Sequence, residues 1–167
     1  MILGMVEHVE DWNALYRAGH AAVERGAFAE GRDLYRQSWE IADELADGDP
    51  KLWVRHALAL SYEREGLIEK AVETFRETCA LIEDKHGPWQ HAMVTPLEAI
   101  ARLLSPENAL AELERALAIR QRALGWKHWL TAASYHALAD AWWRAGQPKT
   151  AREHLLLALE IARFSPF

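Results

Sequence analysis

Residues 12–35 read WNALYRAGHAAVERGAFAEGRDLY, and this stretch decides the expected fold. Apolar residues recur at steps of three and four on both sides of Gly26, which is the pattern of two amphipathic helices. A glycine between them suits a helix end that needs left-handed backbone. The small residues Gly19 and Gly31 would let the two helices approach closely, and Tyr35 would fill the space between them. The stretch therefore predicts a helix–turn–helix pair.

The same pattern returns three more times along the chain. The four segments start near residues 12, 52, 90 and 132, with spacings of 40, 38 and 42 residues. Internal repetition at such a period is typical of solenoids, because one helix pair cannot bury its apolar face alone and neighbouring pairs must stack. We therefore expect residues 1–11 to form an N-terminal segment and residues 12–167 to form a single repeat domain.

The turn inside each repeat has its own sequence signal. Gly66 and Gly146 hold the turn position in the second and fourth repeats. The third repeat has Leu104 there, followed by Ser105-Pro106, where serine is expected to cap a helix that begins at the proline. Further helix starts are expected at Pro50 and Pro148.

These small and apolar anchors resemble the tetratricopeptide repeat family over residues 12 to about 164. Residues 116–125, ALAIRQRALG, followed by His128, resemble the longer kinesin-light-chain-type variant of the repeat. The resemblance implies an all-α, right-handed superhelical solenoid of four helix–turn–helix repeats. It also implies a non-catalytic adaptor that binds a protein or peptide, because in this family the first helix of each pair lines a concave groove.

Carried over by alignment, the groove positions combine aromatic, histidine and charged side chains. Trp53 and Trp143 are the first expected anchors, since aromatic residues often dominate binding energy. Arg64, Arg102 and Arg144 occupy equivalent positions in three repeats and would suit a carboxylate or an acidic peptide. Alternatively, they pair with neighbouring acids such as Glu63 or Glu98. The predicted ligand-binding set is Tyr16, His20, Trp53, His56, Arg64, Glu98, Arg102, His136, Asp140, Trp143 and Arg144. The alignment also places Val23, Val94 and Ala101 in the groove.

The last helix has a different character from its counterparts. Leu156 and Leu157 stand where earlier repeats carry charged or polar residues. An exposed apolar patch normally marks an interface, so we expect an oligomer interface at Leu156, Leu157 and Phe164. A symmetric dimer, a return of residues 1–11 from another molecule, and a further helix beyond this sequence would each cover it. A structural homo-oligomerisation module is thus an alternative function, and a peptide-sensing regulatory module is another.

The charge of the chain is uneven. Residues 1–84 carry 18 acidic and nine basic side chains, whereas residues 85–167 carry seven acidic and ten basic ones, for a formal net charge of −6. The overall acidity argues against nucleic acid as a partner, because phosphate binding needs a basic surface. The asymmetry could steer a dipolar partner or favour head-to-tail association, or it could be ordinary surface variation. No apolar run approaches the ~18 residues needed to span a bilayer, so no membrane partner is expected.

Signals for chemistry are weak. Cys79 stands alone, which excludes an internal disulfide and favours a reducing cytoplasm. His136 and Asp140 share a helix face and could bind a metal or respond to pH, but no motif with paired ligands accompanies them. No catalytic motif is present. We therefore expect no enzyme activity, no metal and no cofactor. Trp126 and Trp129 would either pack over the next helix or contact a ligand or second protomer.

Overall fold

The computed structural model describes residues 2–43 and 50–164, with side chains from Trp12 to Ala42 and from Pro50 onward. Over these ranges the chain forms eight α-helices and no strand, so the predicted all-α helical-repeat fold is confirmed. The helices are α1 (Ile2–Glu24), α2 (Phe28–Asp43), α3 (Pro50–Glu65), α4 (Ile68–His86), α5 (Val94–Leu103), α6 (Pro106–Leu124), α7 (Trp129–Arg144) and α8 (Pro148–Phe164). A 3₁₀ helix, His91–Met93, runs directly into α5.

The turns between paired helices follow the sequence signals in three repeats. Gly26, Gly66 and Gly146 have φ angles of 81°, 83° and 75°, a conformation that disfavours residues with a Cβ. Leu104 instead has φ −90° and ψ 165°, so the third turn is an extended link. The side chain of Ser105 forms no capping hydrogen bond, contrary to the prediction. Its carbonyl accepts from the amide of Ala109 at 2.9 Å.

The chain divides into two compact units, one ending at Thr78 and the other beginning at Cys79, and the boundary falls within α4. In the first unit, α1, α2 and α3 pack around the buried side chains of Trp12, Tyr35 and Val54. The hydroxyl of Ser38 donates to the Trp12 carbonyl at 2.8 Å, which joins α2 to α1 inside this core.

The helices α1 and α2 approach each other closely at Gly19 and Gly31. A Cβ added at Gly31 would lie 2.6 Å from Val23 Cγ2 and 3.0 Å from the Gly19 carbonyl oxygen. A Cβ at Gly19 would meet the Tyr35 ring at 2.8 Å. The predicted role of these glycines in close helix packing is thus seen directly in the geometry.

In the second unit, α5, α6, α7 and α8 stack in chain order. Ala101, Ala109 and Leu113 form a buried cluster with Leu138 and Ala141 of α7. Half-buried side chains pack around the cluster, including Leu104, Leu110, Leu117 and Trp142. The small residues Ala101 and Ala109 let α5 and α6 approach, and the leucines fill the layer beneath α7.

Candidate functional site

The second unit contains a groove between α5 and α7, with α6 beneath it. It has a volume of about 550 Å³ and is lined by Glu98, Ala101, Arg102, Leu113, Ala137, Asp140 and Arg144. Four of the predicted ligand-binding residues therefore meet in one place. Each belongs to a first helix of its repeat, and they meet because Glu98 and Arg102, like Asp140 and Arg144, are four residues apart on a helix face.

The charges in this groove are partly compensated within the unit. Arg144 Nε donates to Asp140 Oδ2 at 2.9 Å, an i,i+4 pair in which both side chains are well exposed. Glu98 accepts from Arg120 of α6 at 2.5 and 3.2 Å. Arg102 also takes part in an interaction with its surroundings. The predicted alternative was that Arg64, Arg102 and Arg144 pair with nearby acids. It describes Arg144, although the acid is Asp140.

A second groove lies between α7 and α8. It has a volume of about 540 Å³, and His136, Asp140 and Trp143 of the predicted set line it together with Pro148, Ala151, Arg152 and Leu155. Trp143 is 67 % exposed. Asp140 faces both grooves, so the two share one wall of α7.

The predicted residues of the first unit include an aromatic cluster. The Trp12 ring lies 6.2 Å from Tyr16 and 6.3 Å from Trp53, and Tyr16 lies 5.9 Å from Tyr35. Trp53 remains 62 % exposed at the edge of the cluster. Burial raises the pKa of the Tyr35 phenol to about 12, so this ring stays neutral.

His20 and Arg64 meet at Glu24. Arg64 Nη1 donates to Glu24 Oε1 at 2.5 Å, and His20 Nδ1 lies 3.9 Å from the same oxygen. The hydrogen bond and charge of Arg64 lower the pKa of the Glu24 carboxyl, and Glu24 in turn raises the pKa of Arg64. Arg64 is therefore engaged by an acid of the preceding repeat.

His56 lies differently from the other predicted groove residues. Its side chain is half-buried, and its ring packs 5.2 Å from the ring of the buried Phe75. Val23, Val94 and Ala101 are buried, and Ala101 also lines the α5–α7 groove.

Leu156, Leu157 and Phe164, the predicted interface residues, are exposed on α8. Leu155 and Leu159 of the same helix are exposed as well. The inner face of α8 carries Ala151, Ala158 and Ile161, which are buried. Trp126 and Trp129 are also exposed, and Lys127 lies 4.9 Å from the Trp126 ring.

Arg120 is the polar residue that sequence reasoning missed. It is 8 % exposed, and it donates to both oxygens of Glu98 and, at 2.7 Å, to Ser134 Oγ, so it joins α6 to α5 and α7. Its counterparts in the other repeats are Ala42, Ile82 and Ala162. A charge at a position that is otherwise apolar was the available signal.

Among the described residues, no three His, Cys, Asp or Glu side chains are grouped so as to hold a metal ion. No helix within the described ranges is long and apolar enough to cross a membrane.

Comparisons with known proteins place this geometry in context. Residues 98–163 match the tetratricopeptide repeat family model. No curated protein matches the chain. Solved structures do match. BtubC (BKLC) from P. vanneervenii is 18% identical with a TM-score of 0.79, over 96% of this chain and 73% of that one.

Two further structures are similar over 93% of this chain. The nearly identical TPR-like repeats of a kinesin-light-chain protein from Podosopora anserina are 24% identical with a TM-score of 0.72, over 76% of that chain. Aspartyl phosphate phosphatase F from Bacillus subtilis is 17% identical with a TM-score of 0.77, over 41% of that chain. The resemblance to tetratricopeptide repeats is thereby confirmed: residues 98–163 match the family model, and the chain has the fold of TPR-like repeat proteins, including kinesin-light-chain-like repeats.

Proposed function

We propose that this chain is a non-catalytic protein-binding scaffold, and that the groove between α5 and α7 holds an acidic segment of its partner. The observation that carries the proposal is the meeting of Glu98, Arg102, Asp140 and Arg144 in one open groove of about 550 Å³. Repeat proteins commonly use such surfaces for extended contacts with other proteins.

The arginines of the groove suit an acidic ligand. Arg120 holds Glu98 from beneath, and the guanidinium groups of Arg102 and Arg144 line the groove beside it. Exposed ion pairs such as that of Arg144 with Asp140 contribute only about 0–1 kcal/mol. A ligand carboxylate can therefore replace Asp140 at little cost, and the planar guanidinium groups of Arg102 and Arg144 suit it geometrically.

Trp143, which lines the adjoining α7–α8 groove, supplies the apolar part of the contact. It follows Asp140 by three residues on α7, and most of its side chain is exposed. A large aromatic ring beside exchangeable charges is the usual composition of a binding hot spot. We expect a peptide that carries a carboxylate for the arginines and an apolar side chain for the indole. In the first unit, Trp53, Tyr16 and His20 are proposed as additional contacts.

The test uses a library of short acidic peptides, with binding measured by fluorescence anisotropy. Arg102→Ala combined with Trp143→Ala should weaken binding by about tenfold or more. Matched controls are Arg122→Ala and Trp126→Ala, which alter an exposed arginine and an exposed tryptophan that line neither the α5–α7 nor the α7–α8 groove. The helical circular-dichroism signal should be unchanged in all variants. Equal binding by the groove variant and the controls would refute the proposal.

A second function is favoured by the exposed leucines of α8. A structural homo-oligomerisation module would bury Leu156, Leu157 and Phe164 against another molecule. In that case Leu156→Glu with Leu157→Glu should convert a dimer into a monomer in sedimentation velocity. A wild-type chain that sediments as a monomer would exclude this function.

A further inference from the structure

The groove between α7 and α8 corresponds to surfaces that are covered elsewhere in the chain. In the first unit, Tyr35 and Trp39 of α2 form an apolar surface against which Val54 and Leu58 of α3 pack. We call such a surface, on the second helix of a repeat, a seat. In the second unit, Leu113 and Leu117 of α6 form the same seat beneath α7. Repeat alignment assigns the equivalent positions on α8 to Leu155 and Leu159.

Exposure distinguishes this last seat from the two before it. Tyr35 and Leu113 are 2 % and 6 % exposed, whereas Leu155 is 40 % exposed. Trp39 and Leu117 are half-buried, whereas Leu159 is 52 % exposed. The seat is therefore already shaped to receive the first helix of a repeat, and its apolar surface gains from being covered.

The chain itself contains a helix whose free face matches this seat. On α1, Ala14 and Ala18 occupy the positions that Val54 and Leu58 hold on α3, and both alanines are exposed. Ala21, one turn further, is exposed too. Small side chains are what this seat requires, because Trp143 is much bulkier than Val23 and Ala101, which hold its position in the covered seats.

Charge supports the same occupant. Between the first two repeats, the residues at the Glu24 position touch each other, since Glu24 and Arg64 form an ion pair at 2.5 Å. At a junction between two molecules, these positions would be held by Arg144 of one and Glu24 of the other, which are opposite in charge. Arg17 of α1 is equivalent to Ala137, which lies beside Glu98 in its groove. By that equivalence Arg17 would reach Asp140.

We propose that two copies of this chain associate head to tail, with α1 of one molecule docked in the α7–α8 groove of the other. Leu155 and Leu159 would then be covered by Ala14 and Ala18 of the second copy. The contact joins two different surfaces, so each molecule keeps one surface of each kind and can bind a further copy. Residues 1–84 carry nine more acidic than basic side chains, and residues 85–167 carry three more basic than acidic ones. The attraction between these opposite charges assists the encounter of two molecules. This inference goes beyond partner binding in the α5–α7 groove.

Sedimentation velocity over a range of protein concentrations tests the contact. Leu155→Glu with Leu159→Glu blocks the groove, and Ala18→Glu blocks α1. We expect the wild type to form dimers and larger species, and each variant to be a monomer alone. A mixture of the two variants should form a dimer and nothing larger, because one intact surface of each kind remains.

The matched control is Leu156→Glu with Leu157→Glu, which makes the same change on α8 outside the groove and should assemble like the wild type. A symmetric dimer through α8 would reverse this result, and a wild type that stays monomeric would overturn the proposal. Failure of the mixture to form a dimer would overturn it as well.

Cross-linking gives a measurement that does not depend on a destabilising charge. Ala18→Cys and Leu159→Cys, prepared as separate proteins and mixed under oxidation, should form a heterodimer. The native Cys79 is buried and contributes little background. Ala18→Cys mixed with Leu156→Cys should not cross-link, and equal yields from the two mixtures would contradict the head-to-tail contact. Peptide binding by the Leu159 variants, measured separately, keeps this result distinct from failure of the proposed function.

Discussion

The second unit should tolerate the loss of Arg120 better than the loss of Glu98, its partner in a buried ion pair. The side chain of Arg120 is 10 % exposed, whereas that of Glu98 is 32 % exposed. Removing one partner of a buried pair costs about 3–5 kcal/mol when the other charge is left without compensation. Glu98→Ala leaves the buried guanidinium group of Arg120 without its carboxylate. Because Glu98 is partly exposed, water can enter the space that it vacates, so we expect a cost of about 3 kcal/mol, at the lower end of that range.

The opposite substitution should be milder. In Arg120→Met the apolar stem is kept, and Glu98 can turn to water. The remaining loss is the hydrogen bond to Ser134, which is buried, so we expect a cost of about 1–2 kcal/mol. The double variant should then be more stable than Glu98→Ala alone, because it no longer contains a buried charge without its partner.

Urea unfolding followed by far-UV circular dichroism measures these differences, provided that the slope of the transition is the same in all variants. Glu98→Ala should be the least stable of the three variants. If the costs of the two single changes simply add in the double variant, or if Arg120→Met costs more than Glu98→Ala, the ion pair is not what holds the two helices to α6.

Three further predictions concern single sites. Gly31→Ala should destabilise the chain by about 1–3 kcal/mol in the same urea assay, despite the better helix propensity of alanine, because its Cβ would meet Val23 at 2.6 Å. Burial raises the pKa of the Cys79 thiol to about 11, so alkylation at pH 8 should be slow in the folded protein and fast after unfolding; rapid alkylation of the folded chain would contradict this. Arg64→Ala should raise the pKa of Glu24 toward its ordinary value, as measured by NMR titration, and an unchanged titration would show that the pair is absent in solution.

Much of the fold could be predicted from the sequence because its signals are local. Pro50, Pro106 and Pro148 begin α3, α6 and α8, as expected for a residue that needs no helical amide. Gly26 and Gly146 mark turns because their backbone is left-handed. The third repeat was harder to predict, since its turn has no glycine and α5 is only ten residues long.

The candidate site was predictable in position but not in pairing. Helical periodicity brings Glu98, Arg102, Asp140 and Arg144 to one groove. It does not say which acid each arginine will contact, because that depends on side chains from a third helix. Arg120 lies within residues 116–125, which in the sequence indicated only the family resemblance, whereas its guanidinium group lies in the core and holds Glu98. Long-range contacts of this kind carry no periodic signal.

The pairing also determines how the two proposed surfaces of the second unit differ. Glu98 is held by Arg120 from below, and the guanidinium groups of Arg102 and Arg144 in the α5–α7 groove are the ones we propose for an acidic ligand. The α7–α8 groove has Leu155, Ala151 and Trp143 instead, and its apolar area favours a helix face. The departures from the repeat, an arginine in the core of α6 and exposed leucines on α8, are what make one groove suitable for charge and the other for burial.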